Sequence, residues 1–219
     1  MEVTVTNVTK RIKGAQVLSN VTMTLHSGCI VGFRGVNGSG KTMLMRILSG
    51  LVHPTEGEVA IDGKILGRNL SFPPSIGTLI ERPAFLDEYS GRKNLQLLAS
   101  ICNRIDCAEV DQAISRVGLL PTEKKPYKKY SLGMKQRLGI AGAIMEHPEF
   151  ILLDEPTNAL DVDGIQMVKK VLREERERGA LIVLACHDPV ILEELSDEIY
   201  HIVEGQITSR YQVHNETES

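Results

Sequence analysis

Polar and apolar positions alternate at both ends of the chain and follow a helical period in the middle. Val3, Val5 and Val8 predict a short strand, and Val17–Leu25 (VLSNVTMTL) predicts a second. The stretch Glu58–Ile65 reads as a hairpin, because Asp62-Gly63 supplies a turn with φ > 0. These strands predict an antiparallel β layer. Cys29–Phe33 is a short apolar strand, Met43–Ser49 one helix stopped by Gly50, and Ser75–Ile80 a further buried strand. From about Asp87 to Glu146 the pattern is helical. Ser90 is placed to cap a helix bearing Leu95, Leu98 and Ile101. Val110, Ile114 and Val117 form a second stripe closed by Gly118, and Ser131 caps a third helix running to about Met145. After Pro148 strands and helices alternate: Phe150–Leu153, helix Val162–Arg178 ended by Gly179, Ala180–Ala185, helix Pro189–Leu195, and Ile199–Val203. Such alternation implies a mostly parallel sheet with helices on its faces. The expected fold is α/β. A core with its β layer covers about 1–82 and 148–210, a helical subdomain about 87–147 is inserted, and a polar, loose tail covers 211–219.

Composition narrows the class. The chain has 219 residues and a net charge of −3, so no basic excess points to nucleic acid, and none is expected as a partner. Trp is absent and aromatics are 4%, which leaves Leu, Ile, Val and Met to build the core. Cys29, Cys102, Cys107 and Cys186 show no metal-site spacing and are expected to be buried small hydrophobes in a reducing compartment. No apolar run reaches the ~20 residues of a membrane span, and Met1–Val5 does not read as a signal peptide. The expectation is a cytosolic protein that relies on another chain for any membrane span. The lysines of 124–129 read as a solvated loop.

Between the Cys29–Phe33 strand and the following helix lies Gly35-Val36-Asn37-Gly38-Ser39-Gly40-Lys41-Thr42, which fits G-x-x-x-x-G-K-[ST] at every fixed position. Glycines let backbone N–H groups turn inward around phosphate oxygens, and the helix N-terminus adds its positive end. Gly35, Asn37, Gly38, Ser39, Gly40 and Met43 are the candidate cradle. Lys41 would reach the β- and γ-phosphates, and the Thr42 hydroxyl would sit on Mg²⁺. The expectation is thus a P-loop NTPase core of the RecA-like type that takes a nucleoside triphosphate with Mg²⁺.

The apolar strand Phe150–Leu153 ends in Asp154-Glu155, at the sheet edge where open α/β folds bind ligand. Asp154 suits the surroundings of Mg²⁺, and Glu155 suits orienting and deprotonating a water in line with the γ-phosphate. Carboxylates also end strands as simple caps. The P-loop more than 100 residues upstream and Pro156-Thr157 behind favour the catalytic reading.

With these residues in place, the chain resembles the nucleotide-binding subunits of ABC transporters over nearly its whole length. The helix-opening stretch Tyr130-Ser131-Leu132-Gly133-Met134-Lys135-Gln136-Arg137 is similar to the family signature Leu-Ser-Gly-Gly-Gln at Ser131 and Gly133, and departs at Tyr130, Leu132 and Met134. Asn158-Ala159-Leu160-Asp161 resembles the D-loop, and His187 is placed like the switch histidine. The form of the signature, with Gly57-Glu58 and Ile80–Phe85, resembles the bacitracin and lantibiotic-resistance branch. The resemblance implies that two subunits sandwich two ATP molecules head to tail. Each site would join the P-loop, Asp154 and His187 of one chain to Ser131 and Gly133 of the other. A plain helix cap at Ser131 and a satisfied core histidine at 187 are the simpler alternatives.

Two departures bear on chemistry. Ile12 stands where the family carries an adenine-stacking aromatic, which implies poor discrimination between ATP and GTP. Glu81 stands where the family has Gln at a hinge, and its carboxylate is a stronger ligand for a hard cation than an amide oxygen. It is therefore a candidate Mg²⁺ ligand, the alternative being a solvated carboxylate paired with Arg82 or Arg92. The segment Pro83–Tyr89, with Phe85, Leu86 and Tyr89, is the candidate docking site for a permease. Together these imply an ATPase subunit, peripheral on the inner face of the cell membrane. It would dimerise on ATP and power a separate polytopic permease, most simply an exporter of a peptide antibiotic or hydrophobic compound. The alternative is a soluble ABC-type ATPase in an assembly role. A kinase or GTPase would leave Ser131–Arg137 unexplained.

Overall fold

A computed structural model describes residues 1–213 of the chain. Strand β1 (Glu2–Ile12) pairs antiparallel with β2 (Ala15–His26) on one side and β4 (Glu56–Ile61) on the other, and β5 (Lys64–Ile65) completes a sheet in the order β2-β1-β4-β5. The β4–β5 turn is Asp62-Gly63, with φ of 47° and 75°, so the Asp-Gly signal is realised. Val3, Val5 and Val8 are all buried. Val5 and Val8 are an odd number of residues apart, and both face inward only because β1 is irregular between them, with Asn7 at φ 50°.

The second sheet holds β3 (Ile30–Arg34), β6 (Ile76–Leu79), β7 (Phe150–Asp154), β8 (Leu181–Ala185), β9 (Glu198–Val203) and β10 (Gln206–Gln212), in the order β10-β9-β3-β8-β7-β6. All its pairings are parallel except β9–β10. Strands β7 and β8 are buried at every position because both of their faces are covered. Alternate residues supply two cores. Val31, Phe33, Phe150, Leu152 and Val183 pack with the antiparallel sheet and helix α1 (Lys41–Leu48). Ile30, Ile151, Leu153, Ile182 and Leu184 pack towards the remaining helices.

Between β6 and β7 lie α2 (Gly91–Cys102), α3 (Cys107–Arg116) and α4 (Leu132–Ile144), while α5 (Val162–Glu177) and α6 (Pro189–Leu195) follow β7 and β8. The expected caps are present: the Ser90 hydroxyl accepts from Lys93 N–H and the Ser131 hydroxyl from Met134 N–H. Helix α4 lies so close to β6 that a Cβ on Gly77 would stand 1.7 Å from the Ala143 carbonyl oxygen. This contact draws the helical segment onto the edge of the parallel sheet.

Two expectations are corrected. Strand β10 has no apolar alternation and is almost wholly exposed, so it left no periodic signal. Backbone pairing with β9 and an ion pair from Arg210 to the buried Glu198 hold it there. Tyr211 and Gln212 therefore belong to this strand and not to a loose tail; positions 214–219 lie outside the described residues. Of the cysteines only Cys186 is buried, Cys29 is partly covered, and Cys102 and Cys107 are exposed at the end of α2 and the start of α3. In the lysine-rich loop the lysines at 124, 125, 128 and 129 are exposed as expected, with Lys128 bonding Glu88 at 2.7 Å, while Tyr127 is buried.

Candidate active site

Strand β3 delivers the chain into the glycine loop, and two left-handed glycines, Gly38 (φ 81°) and Gly40 (φ 107°), turn it back into α1. Gly40 is the N-cap and offers no side-chain acceptor, so the first N–H groups of α1 lack a capping oxygen. The Ser39 hydroxyl is buried without a hydrogen-bond partner among the described residues. Lys41 is only 6% exposed, and its ammonium donates to the carbonyls of Gly35 (2.6 Å) and Val36 (3.0 Å) across the loop. Asn37, Gly38, Gly40, Lys41, Thr42 and Met43 border a cavity of about 270 Å³ that reaches Asp154 and Glu155. Uncapped donors around a buried ammonium fit a polyphosphate.

Strand β8 separates β3 from β7, so the C-terminal ends of three neighbouring strands meet at the site. The Thr42 hydroxyl donates to Asp154 Oδ2 at 2.7 Å across this edge. Burial pushes the Asp154 carboxyl above its ordinary range, with Glu155 and Glu81 adding to the rise and the Thr42 bond and Lys41 opposing it. A hydroxyl beside a buried carboxylate is the hard-oxygen donor set that suits Mg²⁺.

Glu155 takes a left-handed conformation, φ 52°, which aims its side chain off the end of β7. Its N–H donates to the Ala185 carbonyl (2.9 Å), and its own carbonyl accepts from Gln136 Nε2 of α4 (2.9 Å). The carboxylate Oε2 lies 2.7 Å from His187 Nδ1 and accepts the His187 N–H at 3.3 Å. A carboxylate held by a histidine at the mouth of a phosphate cradle has the geometry of a general base with its orienting partner.

Ser131, Gly133 and Asp161 meet around a different cavity, of about 690 Å³, and none of its lining residues belongs to the loop 35–43. Asp161 caps α5 by accepting from Gly164 N–H (2.9 Å) and also binds Arg137 (3.1 Å). Gly133 has a local reason to be glycine, since a Cβ there would lie 2.9 Å from the Ala159 carbonyl oxygen.

Residues 18–158 match the protein family described as ABC transporter. The chain belongs to this family. The uncharacterized ABC transporter ATP-binding protein YybJ of Bacillus subtilis (strain 168) is 43% identical over 209 residues, covering 95% of this chain and 96% of that protein. The bacitracin transport ATP-binding protein BcrA of Enterococcus faecalis is 35% identical over 209 residues, 94% of this chain and 68% of that one. A dimeric, post-hydrolysis structure of the ATP-binding cassette MJ0796 bound to ADP and Pi superposes with a TM-score of 0.85, covering 97% of this chain and 99% of that one. At 24% identity this likeness establishes the fold.

As a member of this family, the chain is an ATP-binding ATPase. Its structure gathers Lys41, Thr42, Asp154, Glu155 and His187 at one edge and leaves Ser131, Gly133, Asp161 and Ile12 apart. Ser131 and Gly133 line the separate cavity described above. Ile12 ends β1 at 40% exposure and does not line the loop cavity, whereas Val17 does. Glu81, at φ 63°, borders a cavity of about 1040 Å³ with Asp154 and Glu155. Its carboxylate accepts from Arg46 of α1 at 2.5 Å, while Arg92 is taken by Asp111. The pairing with Arg82 or Arg92 is thus corrected. Arg46 and Gln136 are the residues that motif reading missed. Gln136 stood inside the signature stretch without a role, and Arg46 carries no local signal.

Proposed function

We propose that this chain is the ATPase subunit of an ABC exporter, working as a dimer beneath a separate polytopic permease at the inner face of the cell membrane. Its core and β layer, about 1–82 and 148–210, would move against the helical subdomain, about 87–147. Gly35–Met43 would cradle the phosphates, and Glu155, steadied by His187, would take the proton of the attacking water. Thr42 and Asp154 would hold Mg²⁺, which when bound neutralises phosphate charge. Glu81 stands close enough to Asp154 to raise its pKa, which supports a part in sensing the cation. Ser131, Gly133 and Asp161 would face the ATP held by the partner subunit. One observation carries that arrangement: within a single chain the Ser131 cavity and the loop cavity share no lining residue.

Export of a peptide antibiotic or related compound is supported by the identity with BcrA across 94% of this chain. No helix among the described residues is long and apolar enough to cross a membrane, and we assign the spans to the separate permease. A groove of about 430 Å³ beside β6, bordered by Leu51, Pro83, Phe85, Leu98 and Ile101, is the candidate permease dock. Leu51, Leu98 and Ile101 are 61%, 41% and 77% exposed beside this groove, an apolar cluster of the kind that marks interaction sites. Phe85 packs inward on Tyr127 (5.4 Å, edge to face), whereas Leu86 and Tyr89 remain exposed.

The test is a cysteine scan over 83–89 and at Ile101, with Cys102 and Cys107 replaced by Ser, followed by oxidation in native membranes. A disulfide to a polytopic membrane protein is expected from at least one position. Recovery of soluble partners alone would establish the assembly-type ATPase instead.

A further inference from the structure

We propose that Glu155, Cys186 and His187 form a binding site for a thiophilic divalent cation of the zinc class, and that filling it stops ATP hydrolysis. A carboxylate oxygen, a thiol sulfur and an imidazole nitrogen from these residues lie within 4.8 Å of one another. The backbone imposes the convergence. Asp154 of β7 pairs with Ala185 of β8, so the next residue on each strand, Glu155 and Cys186, emerges at the same edge. His187 follows, and its ring nitrogen already lies 2.7 Å from the Glu155 carboxylate.

Zinc bonds of about 2.0–2.3 Å in a tetrahedron require neighbouring donors roughly 3.3–3.8 Å apart. The carboxylate and imidazole need to open by less than about an ångström and the sulfur to close by up to about 1.3 Å, within the reach of χ rotation. The sulfur is weakly held: Cys186 is 1% exposed, its sulfur lies 3.7 Å from the Thr157 hydroxyl, and it also meets the Asp188 backbone N–H. The opposite wall is open, because the His187 side chain is 63% exposed. An ion can therefore enter from solvent and keep a fourth position for water. As it binds, the Cys186 S–H bond breaks, its proton passes to solvent and a sulfur–metal bond forms, with no change in oxidation state.

The donor set separates this ion from Mg²⁺. Thr42 and Asp154 offer only oxygens, which suit a hard cation, whereas sulfur and imidazole suit zinc. The consequence for turnover rests on Glu155 being the general base: coordination occupies the lone pairs that would accept the water's proton. Lys41 and the glycine loop are untouched, so ATP should still bind.

Cobalt(II) reports the site directly, since a cobalt–thiolate bond has its own charge-transfer band in the near ultraviolet. The full chain, without a histidine tag, is titrated in a background with Cys29, Cys102 and Cys107 replaced by Ser, and again with Cys186→Ser added. One cobalt per chain with the band is expected in the first protein. In the second the band should vanish, and affinity should fall by more than the roughly tenfold typical of disturbing an outer partner. Zinc should displace the cobalt and lower the ATPase rate relative to each protein's own zinc-free rate, with fluorescent-ATP affinity changed less than about twofold. If the background protein fails to fold, wild type against Cys186→Ser alone gives the same comparison as the loss of one thiolate's intensity. Absence of the band, or unchanged affinity in Cys186→Ser, overturns the site. Zinc weakening ATP binding as much as turnover would mean that it acts at Thr42 and Asp154, and overturns the mechanism of inhibition. Because binding is read from the spectrum, it stands or falls independently of the catalytic role given to Glu155.

Discussion

Two charged side chains at the site are held by protein groups that a nucleotide would replace. Lys41 is buried and, among the described residues, bonded only to the Gly35 and Val36 carbonyls, neutral partners that a phosphate outcompetes. Lys41→Ala removes a charge-assisted bond worth about 1.5–3 kcal/mol, so ATP affinity, measured by fluorescent-nucleotide titration, should fall by at least about tenfold. Affinity near wild type would remove the phosphate assignment. Glu81 is paired with Arg46, but their side chains are 59% and 34% exposed, so the pair is worth at most ~1 kcal/mol and exchanges easily. Glu81→Ala should raise the Mg²⁺ concentration for half-maximal ATPase, and Glu81→Gln should restore much of it. A Mg²⁺ curve unchanged by Glu81→Ala would leave Glu81 as a surface ion-pair partner of Arg46.

Among the elements, the junction between helical segment and core carries the highest stakes. Arg116 of α3 reaches Glu175 of α5 at 2.7 Å and Glu174 at 2.9 Å, and Arg178 adds a bond to Glu175 at 2.6 Å. Glu175 is 1% exposed, so a charge is buried between two guanidinium groups. Removing it leaves them facing each other in a region of low dielectric. Glu175→Ala should cost about 3 kcal/mol, read as a lower midpoint in urea unfolding. Glu175→Gln, which keeps hydrogen-bonding atoms in place, should cost less. Equal stability of all three proteins would show that the network adds nothing to the join between α3 and α5.

For the whole molecule, the proposed placement of Ser131 against a partner's ATP would make hydrolysis a property of two chains. Glu155→Gln keeps the shape of the carboxylate while removing its basicity, so ATP should bind without turnover and the closed dimer should accumulate. Size-exclusion chromatography of Glu155→Gln is expected to show a dimer with ATP and Mg²⁺ and a monomer with ADP. Hydrolysis at the wild-type rate would take the role of base from Glu155, and a monomer under both conditions would take the signature away from a partner's ATP.

Local chemistry made much of this legible without coordinates. The glycine loop, the Asp62-Gly63 turn, the caps at Ser90 and Ser131 and the ends of α6 all depend on residues within one turn of each other, and each formed where its residues stand. The acidic end of β7 was legible for the same reason. Packing decided what distant residues do together. The order β3-β8-β7 brings Thr42 to Asp154 across 112 residues and His187 to Glu155 across 32. The Arg46–Glu81 pair spans 35 residues, and β10 exists only because β9 offers its edge. Hydrophobic periodicity reports which face of one element is buried. Strand order and register, which set these meetings, arise only when all the elements share one core.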